Sequence, residues 1–142
     1  MSWHSEKIKT SPLYALAQRV DGLELLYPPF ALAVATLFAR ARSEGLLVMI
    51  YETYRSQERQ LALWSQGATM LKKNGMHHFG IATDIVFLTA SGNPSWAAGH
   101  AWARLGALGQ NLGLEWGGVW SAFVDKPHFQ FVPATASAQA KV

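Results

Sequence analysis

The chain contains no cysteine. That removes disulfide frameworks, thiolate metal sites and cysteine nucleophiles together, so any metal must be held by histidine and carboxylate. A concentrated basic patch is also missing. Twelve Lys and Arg against nine Asp and Glu give a net charge of +3, and no like-charge run exceeds Lys72-Lys73. Nucleic acid is therefore a poor first expectation, whereas a mildly basic surface favours polyanionic partners through an attraction that salt weakens. No uncharged apolar run is long enough to span a membrane: Leu25 to Ala39 contains Pro28-Pro29 and falls short of the roughly 20 residues required. The opening Met1-Ser2-Trp3-His4-Ser5-Glu6-Lys7 places no apolar stretch behind a basic cluster, so no signal peptide is expected and synthesis is assigned to the cytoplasm. Repeats are absent, and the only featureless stretch, residues 133–142, is expected to be a flexible tail.

What is present suits one folded domain. The 142 residues are half hydrophobic and 15% charged, far from the composition of disordered chains. Phe30, Val34, Leu37, Phe38 and Ala41 recur at helical spacing and predict a core-facing helix over about 29–44. Leu46 to Tyr54 lacks that period and reads as a buried strand. Ser56 is a plausible N-cap for a helix ending near Gly67. Ile81 to Leu88 alternates, which predicts a strand with Asp84 facing a pocket or solvent beside Ala82 and Val86, and most of the large apolar groups on the other face. Ser95 is expected to cap a helix over about 96–112, and short strands are expected at Leu114-Trp116 and His128-Val132. Helices and strands mixed without strict alternation predict an α+β domain, a small antiparallel sheet with flanking helices. The expected organisation is an N-terminal segment, 1–27, packing on a catalytic core, 28–132.

Only three aspartates occur, and two of them, Asp84 and Asp125, lie close to His77 and His128. Two histidines and one carboxylate form a catalytic zinc set, in which the fourth position is left to water whose pKa the metal lowers toward 7. His77 before the strand, Asp84 inside it and His128 on a neighbouring strand can converge on one sheet face. From chemistry alone His78 could replace His77. Asp125, three residues before His128 and held by Pro127, is placed to act as general base on the water and then to hand its proton to the departing amine. His4 and His100 read as ordinary polar residues, and Trp116, Trp120 and Phe123 as core.

Three ordered motifs resemble the VanY/M15 zinc peptidase family, and within it the phage-type L-alanyl-D-glutamate endopeptidases. They are Tyr54-Arg55-Ser56-Gln57-Glu58-Arg59-Gln60-Leu61, the run His77-x-x-Gly80-x-Ala82-x-Asp84, and Gly113-Leu114-Glu115-Trp116-Gly117-Gly118 leading to Asp125-Lys126-Pro127-His128-Phe129-Gln130. The similarity spans about Pro28 to Phe131. It implies the fold of D-alanyl-D-alanine peptidases and Hedgehog domains, with zinc held at the positions of His77, Asp84 and His128. The family histidine stands three residues before the glycine, which selects His77 over His78, and the catalytic acid matches Asp125. Arg55 matches the family arginine, expected near the scissile carbonyl or a substrate carboxylate; a structural salt bridge is its plainer reading. Family members commonly carry Ser two residues before the first histidine, where this chain has Gly75, so a substrate contact is expected to be missing. Lys72-Lys73-Asn74-Gly75-Met76 reads as a polar loop at the cleft edge.

The resemblance implies a monomeric hydrolase of peptidoglycan stem peptides, cutting between L-Ala and D-Glu and reaching the wall through a holin-type pore, as a bacteriophage or prophage endolysin would. A D-Ala-D-Ala carboxypeptidase keeps the mechanism and moves the bond, with Arg55 or a loop lysine on the terminal carboxylate. A zinc-bearing binding module without hydrolysis is the reading from another class, and the presence of Asp125 argues against it. Nucleic-acid binding and membrane insertion are not expected.

Overall fold

The computed structural model describes residues 2–69 and 75–132. Its frame is an antiparallel sheet with strands β1 (Val48–Glu52), β2 (Ala82–Leu88), β3 (Pro94–Ser95), β4 (Glu115–Trp116) and β5 (His128–Gln130). They run in the order β1-β2-β5-β4, with β3 added on β2. Helices α1 (Pro28–Ser43) and α3 (Ala101–Asn111) contribute to the main core, while α2 (Gln57–Ser65) follows β1. This is the α+β arrangement expected. The tail at 133–142 and Lys72-Lys73-Asn74 lie outside the described residues.

α1 opens with two prolines at its first positions, where the missing N–H groups have no helical partner to lose, and buries Phe30, Val34, Leu37 and Ala41 along one stripe. These meet Val48, Ile85, Trp102, Leu105 and Phe129 in the main core. α2 begins as expected at Ser56, whose Oγ accepts from the Arg59 amide at 2.9 Å.

Strand β2 forms as expected, and one expectation, the start of α3, needed correction. β2 carries apolar residues on the Asp84 face as well as on the other. Its neighbours on both sides make it central, and Ala82 and Val86, which share the Asp84 face, are fully buried. The helix expected over 96–112 begins only at Ala101, because Pro94 and Ser95 are drawn into pairing with β2 and Gly99 takes a positive φ of +57°. Ser95 therefore caps nothing helical.

The residues before Pro28 form a second, smaller core of Ile8, Val20 and Leu25 around Tyr54. One π-helical turn, His4–Ile8, opens this segment. The Tyr54 hydroxyl donates to the Tyr14 carbonyl at 2.6 Å, and the Thr53 amide donates to Val20 at 2.8 Å. The segment thus buttresses the turn from Thr53 to Ser56 from behind. His4, expected as an ordinary polar residue, is buried and meets His78 at 3.1 Å between their Nε2 atoms.

Candidate metal centre and cleft

Asp84 and His128 are direct cross-strand partners of β2 and β5, so their side chains leave the same sheet face. His77 comes from a 3-10 turn, Met76–Phe79, that ends at Gly80 in the left-handed region. An added Cβ at Gly80 would run into the Leu25 carbonyl, which keeps the path between His77 and Asp84 short. One ligand atom from each of His77, Asp84 and His128 lies within 4.8 Å of the other two. His77 Nε2 and His128 Nδ1 each stand 3.5 Å from Asp84 Oδ1.

The nitrogens facing inward are set by the contacts of the other two. His77 Nδ1 donates to the Thr53 carbonyl at 2.8 Å, which leaves Nε2 as the lone-pair atom. His128 Nε2 donates to Gln130 Oε1 at 2.8 Å, which leaves Nδ1. Gln130 Nε2 in turn donates to Glu115 Oε2 at 3.2 Å, and that oxygen also accepts from Trp120 Nε1 at 2.9 Å. His78 points away from this centre. Its Nδ1 donates to the Arg55 carbonyl at 3.2 Å and its Nε2 faces His4.

A cation fits this arrangement. Asp84 Oδ1 is shielded from solvent and has no hydrogen-bond partner among the described residues, an arrangement that costs free energy unless something positive sits against it. Two imidazole lone pairs aimed at that oxygen form the nitrogen and oxygen donor set that zinc takes. Burial pushes the Asp84 carboxyl up, but the His77 and His128 imidazoles outweigh it and hold the group well below the usual carboxylate range. Burial pulls His128 down, and Asp84 more than reverses the effect.

Asp125 sits at the rim, its Oδ2 3.8 Å from His128 Nδ1. Its carbonyl accepts the His128 amide at 3.1 Å and its amide donates to Gly117, so the loop holds it in register with β5. Burial and the neighbouring Asp84 charge raise its carboxyl above the ordinary value. Arg55 lines the same cleft, but four of its five N–H groups are engaged. Nε and Nη2 reach Glu52 at 3.2 and 3.1 Å, Nη2 also reaches Asp84 Oδ2 at 3.4 Å, and Nη1 reaches Gln60 at 3.2 Å. Arg55 thus lines the cleft while held in ion pairs with Glu52 and Asp84.

Glu52 is the residue that sequence reasoning missed. It is 2% exposed and accepts from both Arg55 and Arg59. A bulge at Tyr51 puts it there: Ile50 pairs with Ile85, yet Glu52 pairs with Asp84, so one extra residue re-aims the carboxylate. The available signal was a lone acid on an apolar strand with arginines three and seven residues on.

The cleft has a volume of about 610 Å³. Arg59, Leu63 and Thr69 line it, as do Trp120, Phe123 and Val124. Phe123, expected as core, is 47% exposed, whereas Trp116 is buried as expected. Gly75 also lines the cleft and offers no side chain there.

Comparison with known proteins gives a consistent result. Residues 69–131 match the model of a peptidase M15 family described as D-alanyl-D-alanine carboxypeptidase. The chain is 39% identical over 102 residues to an L-alanyl-D-glutamate peptidase of Listeria phage A118, a match covering 70% of this chain and 35% of the relative. The chain therefore spans about a third of that relative's length. It is 29% identical over 126 residues to the peptidoglycan L-alanyl-D-glutamate endopeptidase CwlK of Bacillus subtilis, covering 76% of this chain and 74% of the relative. Among solved structures, the Serratia marcescens L-Ala D-Glu endopeptidase ChiX superposes with a TM-score of 0.66 at 22% identity, covering 86% of this chain and 96% of the other. A vancomycin-resistance D,D-pentapeptidase VanY in complex with Zn(II) superposes with a TM-score of 0.58 at 15% identity, covering 80% of this chain and 76% of the other.

Proposed function

We propose that the chain, which is similar to the VanY-like peptidases of family M15, is a zinc-dependent peptidoglycan hydrolase cutting the L-Ala–D-Glu bond of stem peptides. The observation that carries this reading is the convergence of His77, Asp84 and His128 on a partnerless carboxylate oxygen, with Asp125 at the rim of the same cleft. The names of the phage relative and of CwlK favour this bond.

His77 Nε2, Asp84 Oδ1 and His128 Nδ1 are the atoms assigned to hold zinc. Bound there, zinc supplies Lewis-acid polarisation of the scissile carbonyl and makes water more acidic. The protein's own groups do the rest. Asp125 takes the proton of the attacking water at its carboxylate and gives it to the amine that leaves, so one group serves both halves of the hydrolysis. Its raised pKa suits a group that must be protonated in mid-reaction. Arg55 holds Asp84 Oδ2 in place and has one N–H left for a carbonyl oxygen gaining charge. Trp120, Phe123 and Val124 give the cleft an apolar wall. A D-Ala-D-Ala carboxypeptidase uses the same groups, and the matched family's description favours it as the second reading. In a lysin, access to the wall would come from a membrane pore made by another protein.

The test is mass spectrometry of fragments released from purified peptidoglycan by the zinc-loaded protein, with zinc-loaded Asp125→Ala as the blank. New amino termini on D-Glu, absent from the blank, are the expected result. Free D-Ala instead would move the assignment to the carboxypeptidase, and no release from several wall types would leave a non-catalytic zinc module. Asp125→Ala is expected to keep its zinc while losing at least about 100-fold in rate; loss of zinc would overturn its assignment as general base.

A further inference from the structure

Arg59 has no part in the chemistry above, yet it lines the cleft. Its backbone is fixed in the first turn of α2, where its amide donates to Ser56 Oγ. Its Nε donates to Glu52 Oε2 at 3.1 Å, and the side chain is 18% exposed. Glu52 does not need this second partner, because Arg55 already grips both of its oxygens. The two Nη groups of Arg59 have no partner among the described residues. They are donors in a fixed fork, the shape that matches a carboxylate in bidentate fashion. The charge of the cleft agrees. Glu52, Asp84 and Asp125 contribute three negative charges, and Arg55 and Arg59 two positive ones. A divalent zinc at the centre would turn the balance to one positive charge in surplus, which favours an anionic substrate.

We propose that Arg59 is a specificity residue whose outer guanidinium edge binds the free carboxylate of the D-Glu residue beside the scissile bond. The inference rests on the reading of the chain as a stem-peptide hydrolase. A glutamate within a peptide uses one carboxyl for the onward amide and keeps the other free, so the residue on the amine side of an L-Ala–D-Glu bond always presents such a group unless it is amidated. Arg55 is committed to Glu52, Asp84 and Gln60, which leaves Arg59 as the arginine of the cleft with a whole fork to offer. The site would therefore distinguish walls with a free D-Glu carboxylate from walls in which that carboxylate is a primary amide.

The experiment uses the zinc-loaded full chain and two synthetic stem peptides that differ only in this group, free acid against primary amide. The expected KM of the native protein is at least about tenfold lower for the acid. Arg59→Gln should raise KM for the acid to that of the amide while kcat and the amide's KM hold, and Arg59→Lys should recover part of the preference. An unchanged preference in Arg59→Gln, or an equal loss on both peptides, overturns the proposal. Equilibrium binding of both peptides, measured in zinc-loaded Asp125→Ala with and without Arg59→Gln, separates this idea from the reading it rests on. An Arg59-dependent preference for the acid without any cut at L-Ala–D-Glu by the native protein supports the subsite and sinks the endopeptidase. Cleavage without such a preference sinks the subsite alone.

Discussion

Gln130 faces two ways, accepting from His128 Nε2 through its carbonyl oxygen and donating to Glu115 through its amide nitrogen. That fixes both the flip of the amide and the tautomer of the histidine, so His128 would meet a metal with Nδ1 already aimed. Gln130→Leu is expected to lower zinc affinity by about 10 to 100-fold while leaving the unfolding midpoint of the metal-free protein nearly unchanged, as a chelator competition alongside a urea titration would read. Affinity equal to that of the native protein would show that the histidine orients itself. His77, Asp84, His128 and Asp125 were legible in the sequence because their motif spacing survives without coordinates. Glu52 and the role of Gln130 were not, since each depends on what lies across a strand or a bulge.

Helix α3 carries two buried glycines where an isolated helix would prefer alanine. Gly106 lies against the Trp116 indole and Gly109 against the Phe129 ring, so the missing Cβ atoms let the helix close on β4 and β5. Trp116 cannot swing aside freely, because its Nε1 donates to the Lys126 carbonyl at 2.7 Å. Gly106→Ala gains about 1 kcal/mol in helix propensity but must displace that ring, and the expected net effect in urea unfolding is destabilisation of about 1 to 2 kcal/mol. The same displacement pulls on the loop that bears Asp125, so activity should fall with stability. Helical periodicity located α1 and α3 from the sequence, whereas the late start of α3 was hidden because two residues before it were claimed by a sheet pairing.

At the scale of the whole molecule, His4 and His78 join the N-terminal segment to the turn beside the site. His78 Nδ1 must donate to the Arg55 carbonyl, so its Nε2 accepts from His4 and the pair is held neutral. Burial first, and then His4, push His78 down to about 4, and burial together with Lys9 lowers His4. In the unfolded chain both titrate near the ordinary value of about 6.5. The folded state thus binds fewer protons between these limits: the stability from the pair is complete above about pH 6.5 and is lost as pH falls toward 4. The raised pKa of His128 works in the opposite sense in metal-free protein, its contribution being present at low pH and lost as pH rises. Comparison with His78→Asn isolates the pair. Urea unfolding of both metal-free proteins at about pH 7 and about pH 5 should show the native protein losing on the order of 1 to 3 kcal/mol more than the variant. Equal losses would mean the acid sensitivity lies elsewhere.

The net charge of +3 acts at the same scale. If long-range attraction draws the protein to an anionic wall, moderate added salt should slow hydrolysis of intact peptidoglycan more than hydrolysis of a soluble stem peptide. Equal slowing on both substrates would remove charge as a source of wall affinity.

Composition, periodicity and three motifs were enough to predict one α+β domain without disulfides, to single out a candidate histidine and carboxylate metal set, and to carry a family resemblance, because each of these is written in local spacing and residue type. The neutral His4–His78 pair, the arginines gathered on Glu52 and the apolar cleft wall containing Phe123 were decided only by the tertiary structure. They join residues distant along the chain or across a bulge, and spacing along a sequence says nothing of which side chains a sheet register and a closing loop will bring within hydrogen-bond reach.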